Sequence, residues 1–298
     1  MERVEAEAWV REHVEPVGPI ELASDEPWAT VLRVPVAGGA VWFKACAPIQ
    51  AFEVRLSAEL GARWPDRVAE VIAHDEARAW LLLADAGTPI AVEDPEPWLR
   101  VLPPYSELQR GEAAHADDHL AHGVPDLRVA VLPNRYDDLF RGDLPLEPDV
   151  VERLRAFAPR FAELCAELAS HGIPDSIQHD DLHMANVYVR GDELRVLDWG
   201  DSSISHPFVS PWETFRFLEG VTGLAPDDPW LARLRDAYLE PWGPGLVETF
   251  ELAQQVGGLA HAIAWVRQRE ALTPARLPDF DVGFAHVLRR ALVTARSP

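Results

Sequence analysis

The chain has 298 residues, enough for two lobes that each bury a core, and its 48% hydrophobic and 26% charged content is that of an ordinary globular protein. The formal net charge of −22 argues against nucleic acid as a partner, because phosphates would be repelled. It favours a cationic small molecule, set against the plainer reading that acidity serves solubility. No stretch approaches about 18 uninterrupted apolar residues, so no membrane-spanning helix is expected. The first residues, MERVEAEAWVREHVEP, carry acids and bases every few positions and do not read as a secretory signal. Cys46 and Cys165 stand apart, without metal or redox spacing. That usage fits a reducing, cytoplasmic setting.

Residues 1–17 alternate acids with Val, Ala and Trp9 at helical spacing. The run 28–45, WATVLRVPVAGGAVWFKA, reads as two strands joined at Gly38-Gly39, with one further strand expected near PIELAS. Phe52, Leu56 and Leu60 stand four apart and predict an amphipathic helix over 49–64. RVAEVIAHD and ARAWLLLADAG follow as two more strands, turning near His74–Ala77. After Gly87-Thr88-Pro89 the texture changes to proline-rich loops and helical stretches at 106–122 and 149–171. NVYVRGDELRVLDW (186–199) predicts a second hairpin, and from 211 onward the patterns are mostly helical, with breaks at LAPDDP, EPWGPG and ALTPARLPD. The expected architecture is α+β and two-lobed: a β-rich lobe over 1–86 and a helical lobe over 87–298. The connector at 84–90 would be the hinge, and a ligand would sit in the crevice between the lobes.

Two features carry chemistry. Lys44 is the only lysine; the other 26 of the 27 basic Lys and Arg residues are arginines. It lies in an apolar strand run, where a snorkelling side chain is the plain alternative. The segment 177–203, IQHDDLHMANVYVRGDELRVLDWGDSS, gathers His179, Asp180, Asp181, His183, Asn186, Asp198 and Asp201. Asn186 opens the first strand of the hairpin and Asp198 follows the second, so the two ends are expected to be neighbours. An amide oxygen and a carboxylate there suit Mg²⁺ and phosphate oxygens. His179-x-Asp181 also has the spacing of an iron oxygenase triad, with His261 or His286 as a distal ligand, but that reading needs a mostly β fold.

HDDLHMANVYV and VLDWGDSS resemble the catalytic loop and the metal-binding segment of the aminoglycoside phosphotransferase family, relatives of choline and protein kinases. His179, Asp181 and Asn186 keep the spacing of the kinase catalytic loop. The resemblance covers roughly 24–205 and implies a protein-kinase-like fold. It implies that Lys44 holds nucleotide phosphates and pairs with Glu53, that Ala84 and Ala86 offer backbone groups to adenine, and that Asp181 is the catalytic aspartate. Asn186 and Asp198 would be the magnesium ligands, with His179 and His183 organising the loop. The implied activity is ATP- and Mg²⁺-dependent phosphoryl transfer to a hydroxyl of a small molecule: an aminoglycoside, amino sugar or similar compound.

Two departures matter. Position 180 is Asp where the family has Gly, which is tolerable if the side chain points outward. The small lobe also lacks a glycine-rich loop: ASDEPWAT carries Asp25 and Glu26, which would not welcome a triphosphate. Together they support an alternative, a non-catalytic nucleotide-binding regulator of the same fold. A protein kinase is disfavoured because no Ala-Pro-Glu segment follows Asp198. Glu213 and Glu270 lie on helices whose exposed faces are the default reading.

Overall fold

The computed structural model describes residues 2–90 and 94–294. In chain order the first elements are α1 (Arg3–His13), β1 (Glu21–Asp25), β2 (Ala29–Val36), β3 (Gly39–Cys46), α2 (Phe52–Arg63), β4 (Val71–Asp75), β5 (Trp80–Ala84) and β6 (Thr88–Pro89). There follow α3 (Trp98–Glu112), α4 (Ala116–Ala121), α5 (Leu132–Arg135), α6 (Pro148–Ser170), β7 (Ser176–Gln178), β8 (Val187–Arg190), β9 (Glu193–Val196) and β10 (Ser203–Ser205). The last are α7 (Pro211–Thr222), α8 (Pro229–Leu239), α9 (Val247–Ala271) and α10 (Leu277–Thr294). Two compact units result. One takes the described residues through Ile90 together with His122–Val124 and Met184–Asp201; the other takes the remainder.

The first unit is built on a five-stranded antiparallel sheet of order β1-β2-β3-β5-β4. The expected further strand near PIELAS is β1. The β2–β3 turn falls on Ala37-Gly38, with Val36 opposite Gly39 and Gly38 at φ +87°, where a glycine is at no steric disadvantage. Alternation along β3 sends Val41, Phe43 and Ala45 to one face. There they pack with Trp9 and Val10 of α1 and with Trp80 and Leu82. Trp9, Phe43 and Trp80 meet edge to face at 5.5–5.8 Å, an arrangement the ring quadrupoles favour. Cys46 turns to the other face, with Leu81 and Val54 of α2.

The hairpin β8–β9 packs with this unit. β6 pairs with β8, Val68 bridges Val196, and Val196 donates its N–H to the Arg67 carbonyl. Gly87, at φ +105°, makes the entry to β6 possible, since a Cβ there would stand 2.1 Å from the Val189 carbonyl oxygen.

The second unit is mainly helical. Its only strands among the described residues are β7 and β10, which pair antiparallel with Gln178 opposite Ser203. α9 is buried almost all round, from Phe250 to Val266, and α6, α7 and α10 pack against it. Helix α3 begins eight residues before the stretch predicted at 106 and runs through Pro103 and Pro104. A proline pair reads as a break in sequence. Here Trp98, Val101, Leu102, Tyr105 and Leu108 are all buried, and that packing outweighs the lost backbone bonds. The fold is α+β, as the sequence reading expects.

Candidate active site

Lys44 sits mid-strand in β3, opposite Val31 of β2 and Leu81 of β5, so its backbone is fixed from both sides. Its side chain is turned toward α2. Nζ donates to Glu53 at 2.7–2.8 Å and to Asp198 Oδ1 at 2.6 Å. Glu53 lies in the first turn of α2, where the helix dipole favours an acid, and is 1% exposed. Cys46 donates its thiol to the second Glu53 oxygen at 3.4 Å. Burial opposes charge on Lys44, but Asp198 and Glu53 outweigh it and hold the ammonium well above its ordinary value. Burial and the neighbouring Glu53 carboxylate push the Cys46 thiol far up, which favours its neutral form.

Asp198 differs from Glu53. Its side chain is 53% exposed, and its φ of +63° is left-handed, a conformation that costs a non-glycine residue about 1–2 kcal/mol. Leu197 donates to the Asn186 carbonyl at 2.9 Å, which brings the two ends of the hairpin together. Asn186 is buried. A buried amide beside a half-exposed carboxylate gives oxygen donors of the kind Mg²⁺ prefers, with room for the water ligands it keeps. Among the described residues no group of three or more His, Cys, Asp or Glu side chains forms a metal cluster. Gly200, two residues after Asp198, packs closely on Gln50. A Cβ there would come within 2.6 Å of the Gln50 side chain, which donates to Asp201 Oδ1 at 2.7 Å. Sequence reading missed Gln50.

At the end of β5, Ala84 donates its N–H to the Glu70 carbonyl at 2.9 Å. Any adenine contact at Ala84 therefore falls to its carbonyl. Ala86 is buried in the segment between β5 and β6. Asp25, the last residue of β1, accepts from the Thr30 hydroxyl of β2 at 2.8 Å.

Residues His179–His183 belong to the second unit. His179 is fully buried. Its backbone N–H donates to the Tyr105 hydroxyl, itself bonded to Ser210, and its Nδ1 accepts from the Asp181 N–H at 3.3 Å. His183 stacks on Phe217 of α7 at 5.0 Å and brings Nε2 to 3.3 Å from Asp181 Oδ1. Thr214 donates to the Leu182 carbonyl at 2.6 Å. Asp181 is thus held at its backbone and at one carboxylate oxygen, with its side chain 31% exposed.

Asp180 does not point outward. It is 6% exposed, adopts φ +61°, and its Oδ2 accepts from Ser203 at 2.6 Å and Gln178 at 3.1 Å. That left-handed backbone is one a glycine adopts without strain. Glu213, at the start of α7, faces His261 of α9 at 3.4 Å rather than solvent. Glu270 is half-exposed and lies 3.6 Å from Arg141. A cleft of about 420 Å³ in the same unit is lined by Phe215, Arg216, Arg235, Phe250, Glu251 and Gln254, among others.

No family model matches the chain, and no curated protein matches it in sequence. Solved structures do. Choline kinase LicA from Streptococcus pneumoniae is 12% identical over 99% of each chain, with a TM-score of 0.69. An amicoumacin kinase in complex with AMP-PNP, Ca²⁺ and Ami is 9% identical over 100% of this chain and 95% of its own, at 0.58. The GDP complex of an aminoglycoside 2'-phosphotransferase-IIIa variant is 13% identical over 97% and 96%, at 0.57. At these identities the likeness establishes a shared kinase-like fold.

Proposed function

We propose that this chain is a nucleotide- and Mg²⁺-dependent phosphotransferase acting on a hydroxyl of a small molecule, an aminoglycoside, amino sugar or related cationic compound being the favoured class. The observation that carries the reading is the meeting of Lys44 on a strand and Glu53 on the helix that follows with Asp198, at a hairpin end 154 residues from Lys44. Structures of the same fold that hold AMP-PNP and GDP support nucleotide as the donor.

Phosphoryl transfer needs positioning and charge neutralisation more than covalent help. Lys44, oriented by Glu53, neutralises phosphate oxygens. The Ala84 carbonyl and the Ala86 backbone address the adenine edge. Asn186 and Asp198 would hold Mg²⁺, which supplies further neutralisation of the triphosphate. Asp181 accepts the acceptor's hydroxyl proton as that oxygen bonds to the γ-phosphorus and the bond to the β-phosphate oxygen breaks. His183, 3.3 Å from Asp181 Oδ1, helps fix the orientation of that carboxylate. The net charge of −22 favours a cationic acceptor. The alternative of a non-catalytic nucleotide binder draws less support from Asp180 than the sequence suggests, because that carboxylate is turned to Ser203 and Gln178.

The test is thermal unfolding of the full chain with AMP-PNP and Mg²⁺, then with a panel of aminoglycosides, amino alcohols and sugars. Nucleotide at about 100 times its dissociation constant should stabilise by about 2.7 kcal/mol, and the true acceptor should add a further shift. A melting temperature indifferent to millimolar nucleotide would sink the proposal.

A further inference from the structure

The Asp180 carboxylate is buried beside the catalytic aspartate, and the described surroundings supply one cation for it. His261 of α9 is 3% exposed. Its Nδ1 lies 3.9 Å from Asp180 Oδ1, and its Nε2 lies 3.4 Å from Glu213 Oε2. The rings of Trp212 and Trp265 stand at 5.7 and 5.0 Å. Ser203 and Gln178 take the other Asp180 oxygen. The charged groups facing the imidazole are therefore Asp180 and Asp181 from the catalytic loop and Glu213 from α7. Aromatic walls close the rest.

A carboxylate so deeply buried needs a counter-charge as well as hydrogen bonds. We infer that a charged His261, held between Glu213 and Asp180, is the positioning residue that locks the catalytic loop around Asp181. It acts through Asp180, whose backbone is left-handed at φ +61° immediately before Asp181. Burial alone would lower the imidazole's pKa, but Glu213, then Asp180 and Asp181, raise it above the ordinary 6.5. The loop should be held firmly below that value and loosen as pH rises through the raised one. The sign follows from linkage: a folded pKa above the unfolded one contributes stability at low pH that is lost on deprotonation. The catalytic part of this inference rests on the proposed phosphotransferase activity; the structural part does not.

The experiment is NMR of the full wild-type chain without ligand, following the His261 ring and the backbone amides of 180–183 from about pH 5 to pH 9. His261 should titrate above 6.5, and the loop amides should shift with the same midpoint. In His261→Gln that amide step should vanish. In Asp180→Asn, which tolerates the left-handed backbone, the His261 midpoint should fall. A His261 midpoint at or below 6.5, or loop amides that ignore it, overturns the inference whether or not the protein transfers phosphate. With an acceptor in hand, His261→Gln should lower kcat by up to about 100-fold, the cost of a small misplacement, with nucleotide KM within about twofold. An unchanged kcat, or a loss confined to KM, contradicts the positioning role.

Discussion

Each unit buries a cation between two carboxylates, one of them a left-handed aspartate. In the first unit Lys44 lies between Glu53 and Asp198, at 2.6–2.8 Å, with hydrogen bonds to both. In the second His261 lies between Glu213 and Asp180, at 3.4 and 3.9 Å, too far for strong hydrogen bonds. Asp198 and Asp180 are, with Ala79, the only non-glycine residues at positive φ among those described. The likeness is one of charge arithmetic and the difference is one of chemistry. A lysine remains charged across the whole physiological range, whereas a histidine changes charge within it. The lysine cluster is therefore a permanent fixture. The histidine cluster is conditional, and what it conditions is the loop that carries Asp181.

The sharpest way to break the comparison is Lys44→Met. It leaves Glu53, 1% exposed, without its cation, and should cost about 3–5 kcal/mol in chemical denaturation, as removing one partner of a buried ion pair does. That cost should hold or grow from about pH 6 to pH 9, because Lys44 titrates far above that window and the buried Glu53 carboxyl, already raised by burial, relieves its unpaired charge only by taking a proton toward the acid end. Glu213→Gln should act more gently, by about 1 kcal/mol, the centre of the ordinary range for point substitutions. Its effect should appear at about pH 6, where His261 is charged, and shrink toward pH 9 as the raised imidazole loses its proton. Equal pH dependence in the two variants would erase the distinction.

The first cluster was legible in part because three things coincide in sequence. A lone lysine stands on a β-patterned run, an acid follows in the first turn of an amphipathic helix, and an aspartate closes a hairpin. The pairing of Lys44 with Glu53 rests on the resemblance to the kinase pattern, and the contact of Lys44 with Asp198 came only with the structure. Most of the sheet and of the long helices were readable from strand and helix periodicity. The second cluster was not legible. Asp180 could be seen as a departure from glycine, but the direction of its side chain depends on φ, which tertiary packing sets. His261 lies far downstream on a helix that is buried on nearly every side, so no polar stripe marks the face it uses. Glu213 looked like an ordinary helix acid until its partner was in view. Strands β7 and β10, three residues each, carry too little pattern to stand out, and Gln50 has no motif at all.

Phosphoryl transfer itself is tested most directly by ³¹P NMR of ATP and Mg²⁺ with the acceptor panel, comparing wild type with Asp181→Asn. The account predicts a new phosphate monoester on one acceptor with wild type, and a rate lower by about 10²–10⁴ in the variant, the usual range for removing a general base. Ester formation at an undiminished rate in Asp181→Asn, or nucleotide binding with no ester on any hydroxyl compound, would contradict it.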